Sequence, residues 1–301
     1  MNVIIAGGSG LIGQAFTADL LKHGHRVWVL TRRLSQVHLP AGAQAAGWDG
    51  ASGRGWESVL EQADAVVNLA GENIGAHPWT RERKGRIRES RVQAGQAIVR
   101  AIQATGQRPR VLVQSSAVGY YGPCKEETLT EGSPAGRDFL SGVAVDWENS
   151  TRTVEELGVR RVIIRTGVVL AAEGGILSRF LYPVRLFAGG PMGSGRQWIS
   201  WIHMRDQLAA MRFLMENASA AGAFNVCAPE PVTNAEFVRT LAGVLNRPYW
   251  LPAPAFALKL VLGEMSTLVL DGQKVVPARL QELGFRFTYP ELDAALENLV
   301  G

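Results

Sequence analysis

Short apolar runs alternate with helical patterns along the first 170 or so residues. Val3–Ala6 is an unbroken apolar run, Gly7-Gly8-Ser9-Gly10 follows it, and Leu11–Leu21 then places apolar side chains at 11, 12, 16, 20 and 21 on one helical face. The unit reads as buried strand, glycine turn and helix. Further strands are expected at Arg26–Leu30, before Gly47-Trp48-Asp49, from Asp64 to Gly71, at Arg110–Ser116 and at Arg160–Arg165, with helices over Thr80–Ile102 and Asp138–Glu148. Strands alternating with helices predict an α/β fold, a doubly wound parallel sheet with helices on both faces. Beyond residue 170 the pattern loosens: a helix over 176–187, a glycine-rich loop at 189–195, and Trp201–His203 returning to the sheet. A strand at Phe224–Val226, a Thr233…Glu236 capping box opening a helix to Leu245, a helix within 251–262 and a proline-led helix over Pro290–Val300 complete the chain. The division expected is 1–170 for nucleotide binding and 171–301 for a smaller substrate lobe with returns to the sheet.

Composition narrows the class. The chain has 301 residues, of which 47% are hydrophobic and 19% charged, as in a globular protein. Two cysteines, Cys124 and Cys227, provide neither a disulfide framework nor a metal cluster, and suit a reducing compartment. The first apolar stretch is broken by glycines and lacks a basic leader, and no apolar run approaches the roughly 20 residues of a membrane span. These features predict a cytoplasmic protein with no membrane contact and no metal. The net charge of +4 comes from 26 arginines and five lysines against 27 acids, an excess too small to indicate nucleic-acid binding.

The glycine turn carries the first chemistry. Gly7, Gly10 and Gly13 are spaced G-x-x-G-x-x-G between a strand and a helix. The first glycine allows a tight turn, the second lets a pyrophosphate approach the backbone, and the third lets the helix pack on the sheet. Free N–H groups around Ser9, Leu11 and Ile12, with the positive end of the helix dipole, face the phosphates. A dinucleotide site is expected here. At the end of the second strand, where the adenosine ribose is read, stand Thr31, Arg32 and Arg33 with no acid. An acid would bind two ribose hydroxyls and select NAD; the arginines suit a 2′-phosphate, so NADP(H) is the cofactor expected. Leu69-Ala70-Gly71, closing on small residues, would let the cofactor lie against the backbone, while Asn68 serves either the cofactor or a buried loop. Arg81, Arg83, Lys84, Arg86, Arg88 and Arg91 fall within eleven residues. Lys84, Arg88 and Arg91 share a helical face. That face reads as solvated, with Arg86 and Arg91 placed to reach the cofactor or an anionic substrate. Ser115 and Ser116 end the next strand, and Thr166-Gly167-Val168 the one after, with Val168 expected at the nicotinamide.

These residues carry a resemblance. The glycine motif, Asn68-Leu-Ala-Gly71 and Ser115-Ser-Ala-Val-Gly-Tyr-Tyr-Gly122 resemble the extended short-chain dehydrogenase/reductases, a Rossmann-fold group. Within them the chain is most similar to an epimerase-family subgroup of unassigned function, through Trp79, Lys84, Ser90 and Arg91, Trp147-Glu148, Arg165–Leu170, Gly189–Gly195 and Trp201-Ile-His203. The resemblance implies an oxidoreductase or epimerase acting on a small polar or anionic substrate such as a nucleotide sugar, with Ser116 at the family's catalytic Ser/Thr position.

One departure bears on mechanism. The family carries Tyr-x-x-x-Lys on the helix after the active-site strand, the lysine lowering the phenol's pKa for proton exchange. Counting back from Glu148, those positions hold Leu140 and Ala144. Tyr121 and Lys125 repeat the spacing across Gly122-Pro123, where no helix can carry them. Tyr120 and Tyr121 remain as replacement acids or as packed structural tyrosines. A non-catalytic NADPH-binding sensor or scaffold is the competing reading, and RNA binding by the 81–91 arginines a third.

Overall fold

The structure, a computed structural model, describes residues 1–301. Seven parallel strands form the central sheet: β1 (Asn2–Ala6), β2 (Arg26–Thr31), β3 (Gln44–Gly47), β4 (Ala65–Asn68), β5 (Val111–Ala117), β6 (Arg160–Thr166) and β7 (Gly222–Val226). Their order across the sheet is β7-β6-β5-β4-β1-β2-β3. Strand order reverses between β1 and β4, and ligands of open α/β sheets sit in that crevice, beyond the strands' carboxyl ends. Register locks the two strands there, Val3 to Ala65 and Ala6 to Asn68.

The unbroken apolar runs have the cause expected of them. Val3, Ile4, Ile5 and Ala6 are all fully buried, alternate side chains entering opposite cores. Burying each of the larger three contributes about 1.5–3 kcal/mol. One face of the sheet is covered by α1 (Leu11–Lys22), the other by α2 (Arg81–Ala104). Then come α3 (Phe139–Asn149), α4 (Leu177–Arg185), α5 (Met204–Glu216), α6 (Asn234–Val244), α7 (Ala255–Leu262) and α8 (Leu292–Val300). A third apolar cluster, around Trp201, Phe237 and Leu296, packs α4, α6 and α8 together.

Several helix starts follow their sequence signals. Thr80 caps α2 by accepting the Arg83 N–H, Asp138 caps α3 through Ser141, and Thr233 caps α6 through Glu236. The last helix departs from expectation: it starts at Leu292, after Glu291, so Pro290 lies outside it. The glycine loop at 189–195 is a tight turn. Gly189 and Met192 pair with Tyr249 and Ala253, and a Cβ at Gly190 would lie 2.1 Å from the Leu251 carbonyl oxygen.

Candidate dinucleotide groove and its reacting end

The glycine turn is built as its spacing implies. Gly7 has φ +81°, and a Cβ there would lie 2.7 Å from the Leu69 carbonyl, where β1 and β4 converge. A Cβ at Gly13 would lie 2.4 Å from the Gly7 oxygen, so only glycine lets α1 start this close to the turn. Gly10 differs: its Cβ would meet nothing nearer than 3.4 Å, so the space in front of it is open. Gly10 caps α1 with no side-chain hydrogen bond and no acid in the first turn, which leaves the helix N–H groups and dipole free for an anion.

A groove of about 810 Å³ runs from this turn along the sheet edge. Gly7, Ser9, Gly10, Leu69, Ala70 and Gly71 line one end, and Thr31, Arg32, Arg33, Trp48 and Asp49 the other, with Arg86 along the wall. A phosphate-bearing dinucleotide fits these residues: an open cradle at Gly10, an uncapped helix start and two exposed guanidiniums without a carboxylate partner. Arg33 touches only Gln36, at 3.4 Å. Asp49 is engaged through one carboxylate oxygen, which accepts the N–H groups of Ser52 and Ala51 that depress its pKa, while its other oxygen makes no bond. Asn68 is buried and structural, bonding Gln114 and the Ala70 N–H.

The basic cluster of α2 is mostly paired. Arg83 is buried against Glu72 and the Asn73 carbonyl, Arg86 meets Glu82 at 2.9 Å, and Lys84 meets Glu264 at 2.8 Å. The face shared by Lys84, Arg88 and Arg91 is only partly solvated: Arg88 is exposed, while Lys84 and Arg91 are covered by contacts with the next helix. Lys84 lies over the Phe139 ring, Arg88 bonds Asp146 and Arg91 stacks 4.8 Å over Trp147, all three partners on α3. Arg91 alone is largely buried without an ion-pair partner; its one hydrogen bond goes to the Ile87 carbonyl. Burial lowers its pKa to about 10, against the pull of Glu72. Its guanidinium packs behind Gly71, 3.0 Å from where a Cβ would stand.

Ser116, Tyr120 and Tyr121 sit beside the carboxyl end of β5 and do not line the groove. The Ser116 hydroxyl donates to Glu148 at 2.7 Å, and Arg165 grips both oxygens of that carboxylate at 2.9 and 3.0 Å. Arg165 also donates to the Tyr121 hydroxyl at 3.0 Å, which in turn donates to Asn225 at 2.7 Å. Burial alone would depress the Arg165 guanidinium, but Glu148 and then Tyr121 outweigh it and hold it above its usual range. Burial pushes Tyr121 up to about 12, with Arg165 opposing. Tyr121 is thus spent on a structural network. Tyr120 lies with its ring 3.4 Å from the Arg165 guanidinium, and its hydroxyl makes no hydrogen bond within the protein. Leu140, across from Gly119, and buried Ala144 occupy the turns of α3 that precede Glu148.

Val168, half-buried, pairs with Trp201 in a short ladder outside the groove lining. His203 serves the same junction. Its Nδ1 accepts the Arg205 N–H and its Nε2 meets Asn298, while Asp206 takes the N–H groups of Thr288 and Tyr289. Glu148, Arg165 and Asn225 were not among the residues expected to act here. The signal available was a helical face, Leu140, Ala144 and Glu148, ending in an acid opposite a strand arginine.

Comparison with known proteins agrees with this geometry. Residues 3–227 match the NAD dependent epimerase/dehydratase family, and residues 253–299 a domain of unknown function, DUF1731. Epimerase family protein YfhF of Bacillus subtilis is 40% identical over all of this chain and 98% of its own. The human epimerase family protein SDR39U1 (isoform 2), solved with NADPH, superposes with a TM-score of 0.90 at 35% identity, covering 99% of each chain. The UDP-glucose 4-epimerase of Thermus thermophilus, solved with NAD, shares the fold, at TM-score 0.78 and 19% identity over 99% and 98% of the two chains. The α/β architecture, the groove at the strand-order reversal and these matches agree: the chain belongs to the NAD-dependent epimerase/dehydratase family.

Proposed function

We propose that this chain is an NADP(H)-dependent, epimerase-like oxidoreductase of the extended short-chain dehydrogenase type, acting on a small polar or anionic substrate such as a nucleotide sugar. The observation carrying the cofactor assignment is the adenosine end of the groove. Arg32 and Arg33 stand there exposed without a carboxylate partner, no acid occurs between Arg26 and Trp48, and Asp49 is tied through one oxygen to its own turn. Two guanidiniums can hold a 2′-phosphate with charge-assisted hydrogen bonds. Gly7, Ser9 and Gly10, with the N–H groups of Leu11, Ile12 and Gly13, would hold the pyrophosphate. Leu69, Ala70 and Gly71 would floor the groove, with Arg86 and Arg91 contributing positive charge and Val168 approaching from β6. When bound, the nicotinamide supplies or accepts the hydride.

The chain's own part in the chemistry falls to Ser116 and Tyr120. Because the Ser116 hydroxyl donates its hydrogen bond to Glu148, its oxygen is left to accept one from a substrate hydroxyl. Tyr120 has the free phenol and is the candidate for proton exchange; Tyr121 is not. Leu140 and Ala144, which cannot move a proton, favour a second reading, a non-catalytic NADPH-binding sensor or scaffold. The unpaired thiols of Cys124 and Cys227 support a cytoplasmic setting.

Titration with NADPH and NADH, on the wild type and on Arg32→Ala, tests the cofactor reading. Preference for NADPH that the substitution removes supports it, and binding of neither nucleotide overturns it. Turnover separates the two readings: an enzyme interconverts NADPH and NADP with a substrate, whereas a sensor changes shape or partner between them.

A further inference from the structure

Of the ten large apolar side chains most open to solvent, eight lie in two segments, 182–187 and 250–261, so their exposure is a local feature of the molecule. The segments adjoin. Trp250 Nε1 donates to the Phe187 carbonyl at 2.9 Å, and the Arg247 guanidinium lies over the Phe187 ring. The second segment continues into α7, which buries none of its eight residues. Phe256, Leu260 and Val261 are 75, 85 and 79% exposed. A helix on a globular body ordinarily turns its apolar stripe inward; this one turns it out.

Charge identifies what the face receives. The sequence has no acid between Glu173 and Asp206, nor between Glu236 and Glu264. The exposed charges within the patch are Arg185, Arg247 and Lys259; the acids at its margin are Asp271, which faces Lys259, and Glu264, which is paired with Lys84. A second copy docked through the same face would bring three cations together against acids that already face Lys259 and Lys84. Lys259 also stands on the exposed side of α7, beside Leu260. Lysine is depleted at protein–protein contacts, whereas at a bilayer surface its apolar stem lies among lipid and its ammonium reaches a phosphate.

We propose that this patch docks peripherally on an anionic lipid surface. Phe256, Leu260 and Val261 enter the acyl boundary, Trp250 and Tyr182 sit at headgroup level, and Arg185, Arg247 and Lys259 meet lipid phosphates. No helix is long and apolar enough to cross a membrane, so the contact stays on the surface. This assignment stands apart from the proposed cofactor and chemistry.

Flotation of the full chain with vesicles tests it, using phosphatidylcholine alone and phosphatidylcholine mixed with phosphatidylglycerol. The wild type is expected to float with the anionic vesicles and to be released by salt. Phe256→Ser/Leu260→Ser should weaken binding about tenfold or more, and Lys259→Gln about fivefold. Thermal unfolding of the variants should match the wild type, since these side chains are exposed. Failure to float, or equal flotation of wild type and double variant, overturns the proposal. So does a wild-type dimer in sedimentation that the double variant abolishes, since a second copy would then own the face.

Discussion

The Ser116 hydroxyl donates to Glu148 at 2.7 Å, with both side chains buried. Glu148 is held in turn by Arg165, so the serine's orientation is fixed from behind by a buried ion pair. Removing one member of such a pair leaves an uncompensated charge. Glu148→Ala and Glu148→Gln both remove the carboxylate that faces Arg165 and should each cost about 3–5 kcal/mol of folding stability. Urea unfolding of the two variants checks this, and small losses would refute it.

The two adjacent tyrosines should separate cleanly. Tyr121→Phe leaves the Asn225 oxygen without a donor and should destabilise by about 1–3 kcal/mol. Tyr120→Phe removes a hydroxyl with no protein partner, so it should leave stability unchanged and abolish turnover. Stability loss with Tyr120→Phe, or full turnover, would remove Tyr120 from the scheme.

Alkaline pH gives Tyr121 a second signature. Its folded pKa is raised by burial to about 12, from an ordinary 10.0. The folded state therefore retains a proton that the unfolded chain has lost, and stability falls as pH rises between those values. The fall should be shallower in Tyr121→Phe. Unfolding midpoints across that range decide it.

His203 works in the opposite sense. Burial lowers its pKa below 6.5, and a ring nitrogen that accepts the Arg205 N–H has no room for a second proton. The unfolded chain protonates first, so this contribution is present above 6.5 and is lost as pH falls through the folded value. His25, also lowered by burial, adds to the same acid limb. His203→Gln should flatten the limb without removing it, read from urea midpoints across that range.

Much of this was legible in the sequence wherever one local signal decides the outcome. The Gly7–Gly13 turn, the strand from Val3, the helix starting at Thr80 and the cap at Thr233 each depend on neighbours in the chain, and each fell close to where the pattern put it. The reacting end was harder. Ser116, Tyr121, Glu148, Arg165 and Asn225 come from five places along the chain, and nothing in the spacing says that they share hydrogen bonds. Lys84, Arg88 and Arg91 show the same limit: periodicity put them on one face, but only packing against α3 decided that Arg91 is covered while Arg88 stays in solvent. The outward face of α7 was hidden for a related reason, because an apolar helix reads alike whether or not something covers it.

The glycines should respond differently to one methyl group. Gly13→Ala places a Cβ 2.4 Å from a backbone oxygen and should prevent α1 from seating, with loss of stability and nucleotide binding together. Gly10→Ala meets nothing closer than 3.4 Å, so the fold should survive while the methyl projects into the phosphate cradle. Calorimetry paired with NADPH titration separates the two outcomes. A Gly10→Ala variant that binds NADPH normally would move the pyrophosphate elsewhere.

Arg91 offers the sharpest test of the groove's charge. It is a largely buried cation with no carboxylate partner, held by one carbonyl and the Trp147 face, and burial lowers its pKa. Such a group costs stability until an anion arrives, and it packs behind Gly71, two residues from Leu69, which abuts the Gly7 turn proposed to hold the pyrophosphate. Arg91→Met keeps the stem against Trp147 and removes the charge. The free protein should be unchanged or slightly more stable, while NADPH affinity falls about tenfold or more, as expected for a lost charge-assisted hydrogen bond. Adenosine 2′,5′-bisphosphate, which lacks the pyrophosphate, should bind wild type and variant alike through Arg32 and Arg33. If both ligands weaken equally, Arg91 shapes the whole groove; if neither weakens, the anion it awaits belongs to the substrate.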